Sequence, residues 1–122
     1  MKMSNIYLKS ELHADEIAKF LDKFKKKDIF KDVEYGTLAY IAGATYKTDD
    51  ILQCFDDTNT IDLDMIHDKI EFYSATEKVM IRFALQCFNP ALDEIPLNKV
   101  MRFLDDKNTS VIVQAIKIRY GA

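Results

Sequence analysis

Glycine and proline are scarce in this chain. Its 122 residues include three Gly and two Pro, little material for the tight turns that a sheet of short strands needs, so helices are favoured. Tryptophan is absent, and the two cysteines, Cys54 and Cys87, stand far apart with no CxxC spacing. That excludes a zinc-ribbon pattern and a disulfide framework. No apolar run approaches the ~18 residues of a membrane span. No signal-peptide core follows Met1, so a cytoplasmic location is expected. The chain has neither a GxGxxG nor a P-loop to cradle phosphates, and no serine lies in a nucleophile elbow. A net charge of −3 and a pI of about 5.3 give no general attraction to nucleic acid.

What is present is helical patterning. Ser74 to Phe88 opens with Ser74 and Glu77 at capping-box spacing. Its Val79, Met80, Phe83, Ala84, Cys87 and Phe88 cover roughly half the helix circumference, leaving Lys78, Arg82 and Gln86 as a polar strip. Cys87 reads as a small buried thiol. Ser10 is expected to cap a helix over Glu11–Lys27 whose last turns hold a lysine run suited to the negative end of the helix dipole. Asp32–Tyr46 reads as a second helix, in which Gly36 and Gly43 would let another segment approach closely. Thr48 is expected to cap a short helix over Asp49–Phe55. Asp56–Asp64 is the most turn-like stretch, read as a loop entering another helical turn, and Met65, Ile66, Lys69, Ile70, Phe72 and Tyr73 are expected to approach the core helix. Asn89-Pro90 breaks the chain. Leu97–Leu104 and a helix capped by Asn108, with Val111–Val113 as core material and Gly121 beyond its end, finish it. The expected fold is all-α: a single domain over residues 1–122, a bundle of about five to six helices around a central apolar helix at about 74–88, with a C-terminal helical hairpin.

Candidate chemistry is thin. His13 and His67 are far apart; His67 and Glu71 share a helix face, but HDKIE is not HExxH and no third metal ligand is marked. Between Thr48 and Glu71 stand eight acidic residues and one lysine, net −7. An EF-hand reading of this stretch fails, because from Asp57 the sixth position is Asp62 rather than Gly and the twelfth is Asp68. The final two helices superficially suggest a helix-turn-helix, yet the first turn of the second offers Thr109 and Ser110 in place of the Arg, Lys, Asn or Gln that read base edges. Arg119 falls on the apolar side of its helix, so it is expected to clamp Asp105, another acid or helix-end carbonyls.

Ile81-Arg82-Phe83-Ala84 ending at Phe88-Asn89, then Leu104-Asp105 with Asn108, and Ala115-Ile116 with Ile118-Arg119, resemble an uncharacterised domain-of-unknown-function family. Its members are small helical proteins from Bacillota (Firmicutes) and their prophages. Tyr40-Ile41-Ala42-Gly43 resembles an earlier Y-I-x-x-G segment of that family, so the likeness covers roughly residues 35 to 120; Asn89-Pro90 departs from the family's Asn-Gly. The resemblance implies a small helical domain from a mobile element and carries no activity. The function expected from the residues is a non-enzymatic protein-binding or regulatory module, a phage- or mobile-element-borne antagonist of a host protein. Asp56, Asp57, Asp62, Asp64 and Asp68 are its candidate partner-binding residues. The partner is another protein or a second copy of the chain, with no catalytic residue, cofactor, metal or membrane involved. The basic stretch Lys19–Lys31, with six Lys against two Asp, gives the chain a charge polarity that can steer such a partner. The alternatives are a helix-turn-helix-like nucleic-acid binder and an enzyme using Asp and His from the 48–71 stretch.

Overall fold

Side-chain caps fix where most of the long helices begin. The computed structural model describes residues 6–121 and contains seven helices among them. Ser10 accepts from the His13 amide at 3.1 Å and starts α1, Glu11–Lys23. Ser74 and Glu77 form the full capping box at 3.1 and 3.0 Å and start α5, Ala75–Phe88, which satisfies two of the orphan donors of the first turn. Asp62 caps α4, Leu63–Ile70, by accepting from the Met65 amide. The last helix, α7, Asp106–Tyr120, is capped by Asp105 accepting from the Asn108 amide. The cap is thus three residues earlier than Asn108, because the carboxylate of Asp105 reaches the third helical amide. The remaining elements are α2, Val33–Ala44, and the five-residue helices α3, Thr48–Leu52, and α6, Leu97–Met101. Thr48 does not cap α3: it is the first helical residue, and its buried hydroxyl has no partner among the described residues.

Helices α1 and α2 end earlier than the sequence suggests. Lys25 and Tyr46 both adopt φ 57°. Lys26 then donates back to the Leu21 carbonyl at 3.0 Å, and Lys47 to that of Ala42 at 2.9 Å. This left-handed closure satisfies the last carbonyls and stops both helices. Lys25 to Lys27 therefore form a turn rather than a last helical turn.

The helix with most neighbours is α2. It packs against α1, α5 and α7, and every residue from Gly36 to Ala44 is buried, as an all-round apolar helix requires. Its two glycines admit those neighbours. A Cβ on Gly43 would stand 3.1 Å from the His13 ring and 3.3 Å from the Glu16 Cβ of α1, and one on Gly36 would meet the backbone of Ile29. Helix α5 is deeply buried too, with Met80, Ile81, Ala84, Leu85 and Cys87 fully enclosed, but it forms one wall beside α2. The hairpin expected at the C-terminus is open: α6 seats on α5 and α7 on α2.

Two further devices position the surface. Residues 6–10 form a strap, tied by Tyr7 N–H to Gln114 (3.0 Å), by the Tyr40 hydroxyl to the Tyr7 carbonyl and by the Lys9 amide to His13 Nδ1 (3.1 Å); Met1–Asn5 lie outside the described residues. Phe20, Phe24, Phe55, Tyr35 and Phe88 form a connected row of rings, with centroids 4.8–6.4 Å apart in tilted or edge-on geometry, the arrangement favoured by ring quadrupoles. Phe55 carries the start of the acidic loop into that row. No helix among the described residues is long and apolar enough to cross a membrane.

Candidate functional site

The acidic loop is closed at its base. Phe55 and Ile61 form an isolated antiparallel bridge, Asp56 N–H donates to the Thr60 carbonyl at 3.0 Å and Asp62 N–H to that of Cys54 at 2.6 Å. This is the only strand-like pairing among the described residues, and the chain enters α4 two residues after Ile61. At the loop's centre the Asp56 carboxylate accepts from the Thr58 amide (2.8 Å), the Thr58 hydroxyl (2.7 Å) and the Thr60 amide (3.0 Å). These bonds, the Thr58 hydroxyl first, hold it below the usual carboxylate range.

All five sequence-predicted acids lie at the surface, but they divide by role. Asp56 builds the loop and Asp62 caps α4, so both have structural work. Asp57, Asp64 and Asp68 enter no ion pair among the described residues. Asp64 and Asp68 project from the outer side of α4, whose inner side is fixed by buried Ile66 and Ile70. At 100° per residue, Asp64, Met65 and Asp68 fall within about 100° of one another, away from those isoleucines, and Glu71 and Phe72 follow in the turn after α4. Met65 is 40% exposed and Phe72 91% exposed. The phase set by Ile66 and Ile70 turns Met65 outward, and Phe72 stands exposed in the turn that follows α4, where its amide and that of Tyr73 donate to the carbonyls of Lys69 and Ile70.

The two charge blocks of the sequence are folded side by side. Lys19 of α1 pairs with Asp49 of α3 at 2.9 Å, and Lys23 donates to the Leu52 carbonyl at 3.0 Å. Asp50 accepts from the Tyr73 hydroxyl at 2.8 Å; burial and then this bond raise the tyrosine's pKa. The front of the acidic stretch is thereby partly neutralised within the chain, whereas its α4 end is not.

The residues tested for catalysis are not brought together. His67 is exposed on α4. His13 is fully buried, its Nδ1 accepting from the Lys9 amide and its Nε2 donating to the Tyr40 carbonyl at 2.8 Å, which fixes a neutral ring with both nitrogens satisfied. Cys87 is buried, and desolvation pushes its thiol up to about 11; burial likewise raises Cys54, the reverse of what a nucleophilic thiolate needs. No group of three or more His, Cys, Asp or Glu among the described residues could hold a metal ion. In the first turns of α7, Thr109 and Ser110 are half-buried, Val111 and Ile112 are buried, and Val113 alone of the expected core triplet faces out, 43% exposed.

An open groove of about 810 Å³ lies at the end of α5, lined by Gln86, Pro90, Asp93, Ile95, Leu97 and Tyr120. Two arginines hold the segments beside it. Arg82 grips Asp93 through Nε and Nη2 at 3.0–3.2 Å and the Glu94 carbonyl at 3.1 Å. Arg119 donates Nε to the Cys87 carbonyl at 2.7 Å, the helix-end clamp anticipated for it. Polar groups here hold the 89–96 segment in place. A family model described as a family of unknown function (DUF6075) matches residues 3–122. No curated protein and no solved structure matches the chain.

Proposed function

This chain belongs to the DUF6075 family, and we propose that it is a non-enzymatic protein-binding or regulatory module whose binding face is the outer side of α4. The observation that carries this reading is Phe72, 91% exposed beside Met65 and the unpaired Asp64 and Asp68. An exposed aromatic ring is a ready anchor, since its burial on binding releases apolar surface from water. The surrounding acids steer and orient a partner more than they add affinity. The setting we infer is the cytoplasm of a Bacillota cell or its prophage, with the module acting as an antagonist of a host protein.

The test is affinity capture from the native host with mass-spectrometric identification, run in parallel with wild type and with Asp57→Lys/Asp64→Lys/Asp68→Lys. These three acids are chosen because Asp56 and Asp62 hold the fold. The same protein is expected on wild type and absent from the triple variant while its helicity is unchanged. Equal capture by both would overturn the assignment of this face.

A further inference from the structure

We propose that the chain pairs with a second copy of itself, the acidic outer side of α4 on each copy seating against the lysine-rich turn after α1 on the other. The proposal rests on the same α4 face as the reading above and names a further occupant for it. The complement of that face is present on the chain. In the turn after α1, Lys25, Lys27 and Lys31 are exposed and enter no ion pair among the described residues. Phe30 stands among them, 46% exposed. Each patch thus combines an exposed ring with exposed charges that enter no ion pair among the described residues, mainly acidic on α4 and mainly basic after α1, where Asp28 also bonds the Phe30 amide.

The elements that carry the patches are linked through α3. The Lys19–Asp49 and Lys23–Leu52 contacts and the Phe24–Phe55 ring pair, 4.9 Å between centroids, tie the end of α1 to α3 and the loop leading into α4. In the proposed pair a two-fold axis passing between the patches of opposite sign matches acid to base twice and closes the assembly at two copies. Acid against acid is repelled, so charge sets the register. Exposed ion pairs contribute little singly, so the rings supply the burial.

Light-scattering mass measured across protein concentration tests the pairing with the purified chain alone. At about 0.01 M salt, where charges act over ~30 Å, the mass is expected to rise towards twice the 14.1 kDa of one chain. At about 1 M salt, where the range is ~3 Å, it is expected to return to one chain. Lys25→Glu/Lys27→Glu and Asp64→Lys/Asp68→Lys should each stay monomeric with wild-type helicity. Mixed in equal amounts they should pair, because each then carries the charges that the other's patches require. Phe72→Ser should raise the dissociation constant at least about tenfold. Wild type that stays monomeric up to about 1 mM, a dimer indifferent to salt, or reversed variants that fail to pair when mixed would each overturn the proposal. A monomeric wild type would leave the capture of a foreign protein by α4 standing; loss of that capture alone would leave the self-pairing standing.

Discussion

Replacing Gly36 with alanine probes the centre of the bundle. In an open helix the change would stabilise by about 1 kcal/mol, since glycine is the poorer helix former by that amount. Here a Cβ would stand 2.7 Å from the Cα of Ile29 and 2.9 Å from its carbonyl carbon, where ordinary contact starts at 3.4 Å. The Ile29 carbonyl oxygen would stand nearer still, so the two backbones would have to part by at least about 0.7 Å. Neither side can yield cheaply. Ile29 is fully buried, and its turn is bound to the start of α2 by Lys31 and Asp32 donating to the Asp28 carbonyl and by Gly36 donating to that of Asp32. Overpacking against fixed structure costs about 1–3 kcal/mol, and backbone rather than a flexible side chain places this site at the upper end. The net loss is then about 2 kcal/mol, or about 6–10 °C in melting temperature at this chain length. Urea and thermal unfolding followed by far-UV circular dichroism measure it. An alanine variant as stable as wild type would refute the close approach, and with it the placement of α2 at the centre.

Two further perturbations address buried polar groups. Burial holds His13 below its ordinary 6.5, against the opposing bond to the Tyr40 carbonyl, and the Lys9 ammonium lowers it further. The unfolded chain therefore takes up the proton first, so the stability His13 contributes is complete above about pH 6.5 and falls as pH drops through that value towards the lowered folded one. The urea midpoint should decline between about pH 7.5 and 5.5, above the carboxylate range, and His13→Gln should flatten that slope; an equal slope in both would exclude His13 as its source. Arg82→Met leaves the Asp93 carboxylate, 7% exposed, without its cation and should cost about 2 kcal/mol. In a double-mutant cycle with Asp93→Asn the double variant should lose less than the sum of the single losses, whereas strict additivity would show that the pair contributes nothing.

Local rules placed several helix starts and ends, though not the caps of α3 and α7, where Thr48 and Asn108 lie inside the helix. Ser10, Ser74 with Glu77, and Gly121 act as their sequence contexts suggest, because a cap depends on residues within one turn of it. Arg119 was legible as a clamp on helix-end carbonyls, since a guanidinium on an apolar side must find acceptors. The position of α2 was harder to see. Its glycines and small residues lower its helix propensity and bury little area each, so the bulkier Ser74–Phe88 stood out. What makes α2 central is that small side chains allow three helices to approach it, a property of the partners rather than of the segment. The ends of α1 and α2 were missed for a related reason: Lys25 and Tyr46 take a left-handed conformation that glycine usually supplies, and nothing in their identity announces it.

The proposed binding face was half legible. Counting charge along the chain finds the acidic stretch but treats Asp56, Asp62 and Asp64 alike, although hydrogen bonds commit the first two to the loop and the cap. It also treats the acidic and basic stretches as separate poles, while the fold sets them side by side and lets Lys19 neutralise Asp49. Helical phase gives the sharper criterion. Once Ile66 and Ile70 are taken as the inner side of α4, the orientation of Asp64, Met65 and Asp68 follows from 3.6 residues per turn, while Phe72 stands in the turn beyond it. The large exposed residue is therefore the more informative one here. An acid at the surface is ordinary, whereas a phenylalanine 91% exposed leaves apolar area in water that folding did not cover and that association with another surface can.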